Sequence, residues 1–292
     1  MGTFTRRVAA GDGTDIAYRV TGPADSVDDA AHARDVPTLL LIHGWAQSSA
    51  CWGGDLIDDL AARYRVIAMD LRGHGGSGVP PADRLTSEDF GSDVAAVLAA
   101  EVPLGGPVFV LGWSYGGLVI CDYLARAGAI APTGLIFVGA ITSIGRGQAG
   151  GRVGPQMRAA LPDAYSEDPA TAVAALQSFA GSLAPAGQGA CAQRLLGTSL
   201  TVPPYIRAGL FAREAANDAL LEQAGLPILL IHGTADGVVD ISSAEHLAGL
   251  VPGAQARFWD GAGHAPFLDD PGRFVREVDD FLVDVTVSGG VR

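Results

Sequence analysis

The sequence predicts an α/β protein with a mostly parallel central sheet, helices on both faces, an antiparallel hairpin at the N-terminal edge and a helical cap inserted after a core strand. Short apolar runs recur along the chain without polar alternation. Helical patterns separate most of them, and one long interval carries no such run.

The runs are Leu39 to Ile42, Val66 to Met69, Val108 to Leu111, Leu135 to Val138 and Ile228 to Ile231. A strand with one wet face alternates, so a run that is apolar throughout belongs to a strand buried on both faces. Phe90, Val94, Val97 and Leu98 recur at helical spacing. Phe274, Val275, Val278, Phe281, Leu282 and Val285 do so behind Pro271, a residue suited to a first helical turn. Ala256 to Trp259 reads as the last strand. Alternation of strand and helix is the pattern of a parallel sheet covered on both faces.

At the N-terminus, Phe4 to Val8 and Ile16 to Val20 flank Gly11-Asp12-Gly13-Thr14 as the arms of a hairpin would. Residues 22 to 37, which include His32, read as an exposed loop. No buried strand is evident between Val138 and Pro227, a stretch that opens on the glycine tract Gly145 to Gly151 and continues alanine-rich. A structureless loop of that length does not suit a compact domain. Residues 141–210 are therefore expected to form a helical cap with a flexible glycine lead-in, and residues 1–140 and 211–292 the core. Tyr205 to Ala224 should include the helix that returns to the sheet.

No apolar run in the 292 residues approaches the roughly 20 residues of a membrane-spanning helix. The first residues lack the apolar core of a signal peptide, so a cytoplasmic protein with no membrane partner is expected. The formal charge is −13, with every positive charge supplied by arginine. Such a chain repels phosphate backbones, which argues against nucleic acid as a partner. A small-molecule substrate is expected, and a homo-oligomer is allowed. Cys51, Cys121 and Cys191 are odd in number and form no C-x-x-C pair, so ordinary thiols are expected.

Chemistry concentrates in three places. Gly112-Trp113-Ser114-Tyr115-Gly116 follows the run ending at Leu111 and precedes a helical pattern. In that context a G-x-S-x-G sequence is a strained strand-to-helix turn that pushes the serine Oγ out of the sheet, with glycines where a side chain would crowd it. A hydroxyl is a poor nucleophile at neutral pH and needs a base, which in turn needs an orienting acid. His264 stands in the glycine loop Gly261 to Phe267 after the last strand. Open α/β sheets build their sites at that edge. His43, His74, His232, His246 and His32 read as structural or solvated. The acid should lie between serine and histidine in the chain. Asp236 follows the run ending at Ile231, and Asp240 is its rival, although a helix-capping role suits Asp240. Oxyanion donors are expected from the backbone N–H groups of Tyr115 and Trp45.

On His43-Gly44-Trp45, Asp70-Leu71-Arg72-Gly73-His74-Gly75-Gly76-Ser77, Gly112 to Gly117, Asp236 and Gly263-His264, the chain resembles the α/β-hydrolase superfamily from about Phe4 to Val285. It is most similar to small bacterial esterases, lactonases and cofactor-free haloperoxidases, or perhydrolases. The resemblance implies the α/β-hydrolase fold, a structural turn at Asp70 to Ser77, and a cap lining the substrate pocket. The proline that many relatives carry after the oxyanion residue is Ala46 here. A serine nucleophile, in place of aspartate, separates the chain from haloalkane dehalogenases and epoxide hydrolases.

The expected activity is hydrolysis of a small, moderately hydrophobic carboxylic ester or lactone through an acyl-enzyme, with no cofactor or metal. Trp45, Tyr115, Phe267, Met157, Leu161 and Phe179 are the expected pocket residues. The alternatives are a haloperoxidase-like perhydrolase or cofactor-free dioxygenase on the same scaffold, or a receptor-like protein that binds ligand and turns over slowly.

Overall fold

The computed structural model describes residues 2–23, 36–102, 106–126 and 130–289. His32 and most of the expected loop over 22 to 37 lie outside them. Strands β1 (Gly2–Ala9) and β2 (Asp15–Gly22) form the hairpin, closed by Gly13 at φ +86° and by Asp12, whose Oδ1 accepts from Thr14 N at 3.0 Å. The central strands are β3 (Thr38–Ile42), β4 (Arg65–Met69), β5 (Val108–Trp113), β6 (Gly134–Val138) and β7 (Ile228–Gly233), with β8 (Gln255–Trp259) at the far edge. Among the described residues these make one 8-stranded sheet in the order β1-β2-β4-β3-β5-β6-β7-β8. From β4 to β8 every pairing is parallel; β1 with β2 and β2 with β4 are antiparallel. The expected fold class and antiparallel edge are borne out.

Every residue of β3 to β7 is buried, as continuous apolar runs require, whereas β8 is partly exposed as an edge. Each fully buried Val, Leu or Ile contributes about 1.5–3 kcal/mol of transfer free energy. The helices are α1 (Gly54–Ala61), α2 (Ser87–Glu101), α3 (Tyr115–Leu124), α4 (Pro155–Ala164), α5 (Pro169–Leu183), α6 (Gly189–Leu200), α7 (Pro204–Phe211), α8 (Asp218–Gln223), α9 (Ser242–Leu250), α10 (Pro266–Asp269) and α11 (Pro271–Gly289). Helix α2 opens on a capping box in which the Thr86 side chain accepts from Asp89 N and the Asp89 side chain accepts from Thr86 N. Helices α4 to α8 fill the interval between β6 and β7, and α7 runs past residue 210. The glycine tract is pinned where a flexible lead-in was expected: Gly150 O accepts from Thr142 N at 2.9 Å, and Ile144 bridges Ala215.

The turn from Asp70 to Ser77 braces the sheet end. Asp70 Oδ1 accepts from Ser49 N at 2.7 Å and Oδ2 from Gly76 N at 2.8 Å. The buried Arg72 grips Asp93 through Nε at 2.7 Å and Nη2 at 2.6 Å, a bidentate pair of the geometry that makes arginine–carboxylate bonds strong. Strand order reverses direction on either side of β3 and β5, and ligands of open α/β sheets bind where this happens, beyond the carboxyl ends. The loops after β3 and β5 carry His43-Gly44-Trp45 and Gly112 to Gly116 to that place.

Candidate active site

Ser114 joins β5 to α3 at φ +57° and ψ −118°, a strained region for a residue with a Cβ. The turn is tight enough to require its glycines: a Cβ on Gly112 would stand 2.4 Å from Gly116 O, and one on Gly116 2.3 Å from Ile42 O. Ser114 N donates to Val138 O at 2.9 Å, and Ser114 O accepts from Gly117 N at 3.0 Å and Ile141 N at 3.2 Å, which locks the turn against β6.

His264 follows β8 and presents Nδ1 to Asp236 Oδ2 at 2.7 Å, both side chains being almost completely buried. Its backbone O accepts from Trp113 Nε1 at 2.9 Å, and the two rings lie 5.4 Å apart. Gly139, at the end of β6 with φ +49°, leaves room for the pair: a Cβ there would meet His264 Nδ1 at 3.2 Å and Asp236 Oδ2 at 3.3 Å. Asp236 Oδ1 accepts from Val238 N at 2.8 Å and Val239 N at 3.0 Å. Burial pulls its carboxyl upward, but the His264 and His232 imidazoles outweigh it and hold Asp236 well below the usual carboxylate range. Asp240 turns away and accepts from Ser242 N at 3.0 Å and Ser242 Oγ at 2.6 Å ahead of α9.

The hydrogen bonds of His264 run through Nδ1 and its backbone O, and those of Ser114 through its backbone. The Oγ–Nε2 contact is therefore not closed at hydrogen-bonding geometry, as is common before substrate binds. The loop after β3 lies against the serine, since a Cβ on Gly44 would stand 2.9 Å from Ser114 Cβ. No backbone carbonyl of the described residues takes the N–H of Trp45 or of Tyr115, the first residue of α3.

Over Ser114 lies an apolar cavity with room for the centre of about one water, some 10 Å³. Trp45, Tyr115, Met157 and Phe179 line it, as do Ile141, Val153, Phe211, Val238 and Val239. Phe267 does not: its ring packs 4.7 Å from Trp52 and 5.1 Å from Trp113, inside an aromatic cluster below the site. Leu161, one helical turn beyond Met157 on α4, is half-buried against the core and does not line the cavity. A larger cleft of about 340 Å³ beside Arg19, Ser49 and Ile57 contains none of these residues, so volume alone does not mark the site.

His232 was expected to be structural or solvated, yet its Nε2 stands 3.2 Å from Asp236 Oδ2 and 3.1 Å from Val239 O. Two acceptors facing one nitrogen assign it the proton. The signal was its place four residues before Asp236, across the turn after β7. His43 and His74 are buried, with burial pushing His43 down and His74 down to about 3. Cys51, Cys121 and Cys191 are free and buried. Among the described residues no cluster of three His, Cys, Asp or Glu side chains is placed to hold a metal ion. No described helix is long and apolar enough to cross a membrane.

Comparison with known proteins agrees with the fold. The model of the "Alpha/beta hydrolase family" matches residues 39–277. The crystal structure of the esterase RhEst1 from Rhodococcus sp. ECU1013 superposes with a TM-score of 0.89 at 50% identity, covering 96% of this chain and 99% of that one. A pimeloyl-[acyl-carrier protein] methyl ester esterase of Aromatoleum aromaticum is 32% identical over 245 residues, 80% of this chain and 94% of the relative. One from Vibrio atlanticus is 28% identical over 256 residues, 84% of this chain and 94% of the relative.

Proposed function

The chain belongs to the alpha/beta hydrolase family, a carboxylic ester hydrolase among esterase relatives, and from that premise we propose a serine mechanism acting on a small, moderately hydrophobic ester or lactone. Ser114 Oγ attacks the carbonyl carbon while His264 Nε2 takes its proton. Asp236 holds the imidazolium, and the N–H groups of Trp45 and Tyr115 receive the oxyanion. Collapse of the tetrahedral intermediate expels the alcohol, which leaves with the proton from His264. Water, deprotonated by His264, then attacks the acyl-enzyme and releases the acid.

The observation that carries this reading is the 2.7 Å bond from His264 Nδ1 to Asp236 Oδ2, which leaves His264 Nε2 free to serve the strained Ser114 as base. The apolar lining favours an uncharged substrate. Residues 141–210 act as the cap, and with a cavity this small the cap moves to admit an ester. Rapid mixing with p-nitrophenyl acetate tests the mechanism. The expected result is a burst of nitrophenol approaching one equivalent per protein, absent in Ser114→Ala; a Ser114→Ala variant that keeps wild-type turnover would overturn it.

A further inference from the structure

The loop holding Trp45 is fastened to the helices between β6 and β7 as well as to the sheet. Trp45 Nε1 donates to Arg207 O at 3.0 Å, and its ring meets Phe179 edge-on at 5.2 Å and Phe211 at 5.9 Å. Two residues on, the buried Gln47 donates from Nε2 to Ser199 Oγ at 2.9 Å and to Leu195 O at 3.3 Å. Between these anchors stands Ala46 at φ +52°. A left-handed conformation costs a residue with a Cβ about 1–2 kcal/mol, so its surroundings must hold it. Here the holding contacts come from α5, α6 and α7.

Arg207 is where they meet. It is buried, and its guanidinium donates to Ala164 O at 2.7 Å at the end of α4, and to Ser199 O at 3.2 Å and Val202 O at the end of α6. All these acceptors are carbonyls, and no carboxylate is among them. A cation placed there caps helix-end carbonyls, adding to the Val202 N bond on Ser199 O, and sits at the negative ends of two helix dipoles. The carbonyl of the same residue receives the Trp45 indole.

We propose that Arg207 is a positioning residue for catalysis, through which seating of α4 to α7 sets the Trp45 peptide, so that closure over substrate and assembly of the oxyanion hole are one movement. This rests on the serine mechanism proposed above. An ester enters the cavity over Ser114 only when these helices shift, and the shift withdraws the groups that hold Trp45 and Gln47. With the helices displaced, the second oxyanion donor is lost, and it is regained only as they reseat over the bound ester.

Three variants test the proposal. Trp45→Phe keeps a ring and removes Nε1–H, Arg207→Met keeps the stem and removes the fork, and Arg207→Lys keeps the charge. For each, kcat and KM are measured with p-nitrophenyl butyrate, the melting temperature is recorded, and Ki is measured for an aliphatic trifluoromethyl ketone, whose serine adduct places an oxyanion in the hole. Loss of one oxyanion donor costs about 10²–10³ in kcat. Misplacement in Trp45→Phe and Arg207→Met should therefore lower kcat by about 10- to 100-fold and raise Ki by a similar factor, with KM within about threefold and Arg207→Lys in between. If Ki follows KM, or if only the melting temperature falls, Arg207 is structural and the proposal is overturned. Should Arg207→Met fail to fold, Trp45→Phe decides by the same two readings. A wild type that the ketone does not inhibit would overturn the serine mechanism itself, and the proposal with it.

Discussion

His232 Nε2 stands 3.2 Å from Asp236 Oδ2, the same oxygen that accepts from His264 Nδ1 at 2.7 Å. Two imidazoles thus share one carboxylate oxygen, while the other is held by the N–H groups of Val238 and Val239. Hydrogen bonds to charged groups contribute about 1.5–3 kcal/mol. His232→Leu, of similar volume, is expected to lower kcat on a short nitrophenyl ester by about 10-fold with KM little changed. A variant with wild-type kcat would show that the ring only fills space.

The two aspartates of the loop after β7 separate cleanly. Asp236→Asn removes the acceptor that fixes the His264 tautomer and is expected to lower kcat by about 10⁴. Asp240→Asn weakens only the turn ahead of α9, so kcat should stay within about twofold, with a stability loss of about 1 kcal/mol. Steady-state kinetics and thermal melts on both variants check this, and the reverse ranking would transfer the acid's role to Asp240.

The φ of +52° at Ala46 explains why proline is absent there, since the pyrrolidine ring fixes φ near −65°. Ala46→Gly should leave activity intact and change stability by no more than about 1 kcal/mol, because relieved strain offsets added chain entropy. Ala46→Pro should lower kcat/KM by more than about 100-fold by turning the Trp45 peptide away. An active proline variant would mean that the loop does not need this conformation.

Glu101 gives a pH signature remote from the site. Burial pulls its carboxyl upward, but Arg6, Tyr18 and Arg65 outweigh this and hold it below its ordinary value. A depressed folded pKa contributes stability that is present above the unfolded value, about 4.3, and is lost as pH falls through the folded one. The melting-temperature gap between wild type and Glu101→Gln should therefore be large at pH 7 and shrink below about pH 4. A gap that stays constant with pH would contradict the ion-pair account.

The sheet was legible because burial on both faces writes itself as unbroken apolar runs, from Leu39 to Ile42 through Ile228 to Ile231. Ser114 was legible because the elbow needs glycines at fixed offsets. The role of His232 was hidden, since a strand-end histidine looks the same in sequence whether or not its ring reaches back to a carboxylate. Arg207 was hidden too, because its acceptors are carbonyls, which every residue possesses. Phe267 misled because proximity to His264 in sequence does not say on which side of Trp113 a ring will pack.

Intact-mass analysis after treatment with a fluorophosphonate tests the central assignment most directly. The wild type is expected to gain one adduct, mapped to Ser114 by peptide sequencing, and Ser114→Ala to gain none. An adduct of equal stoichiometry on Ser114→Ala, or one mapped to another residue of the wild type, would contradict it.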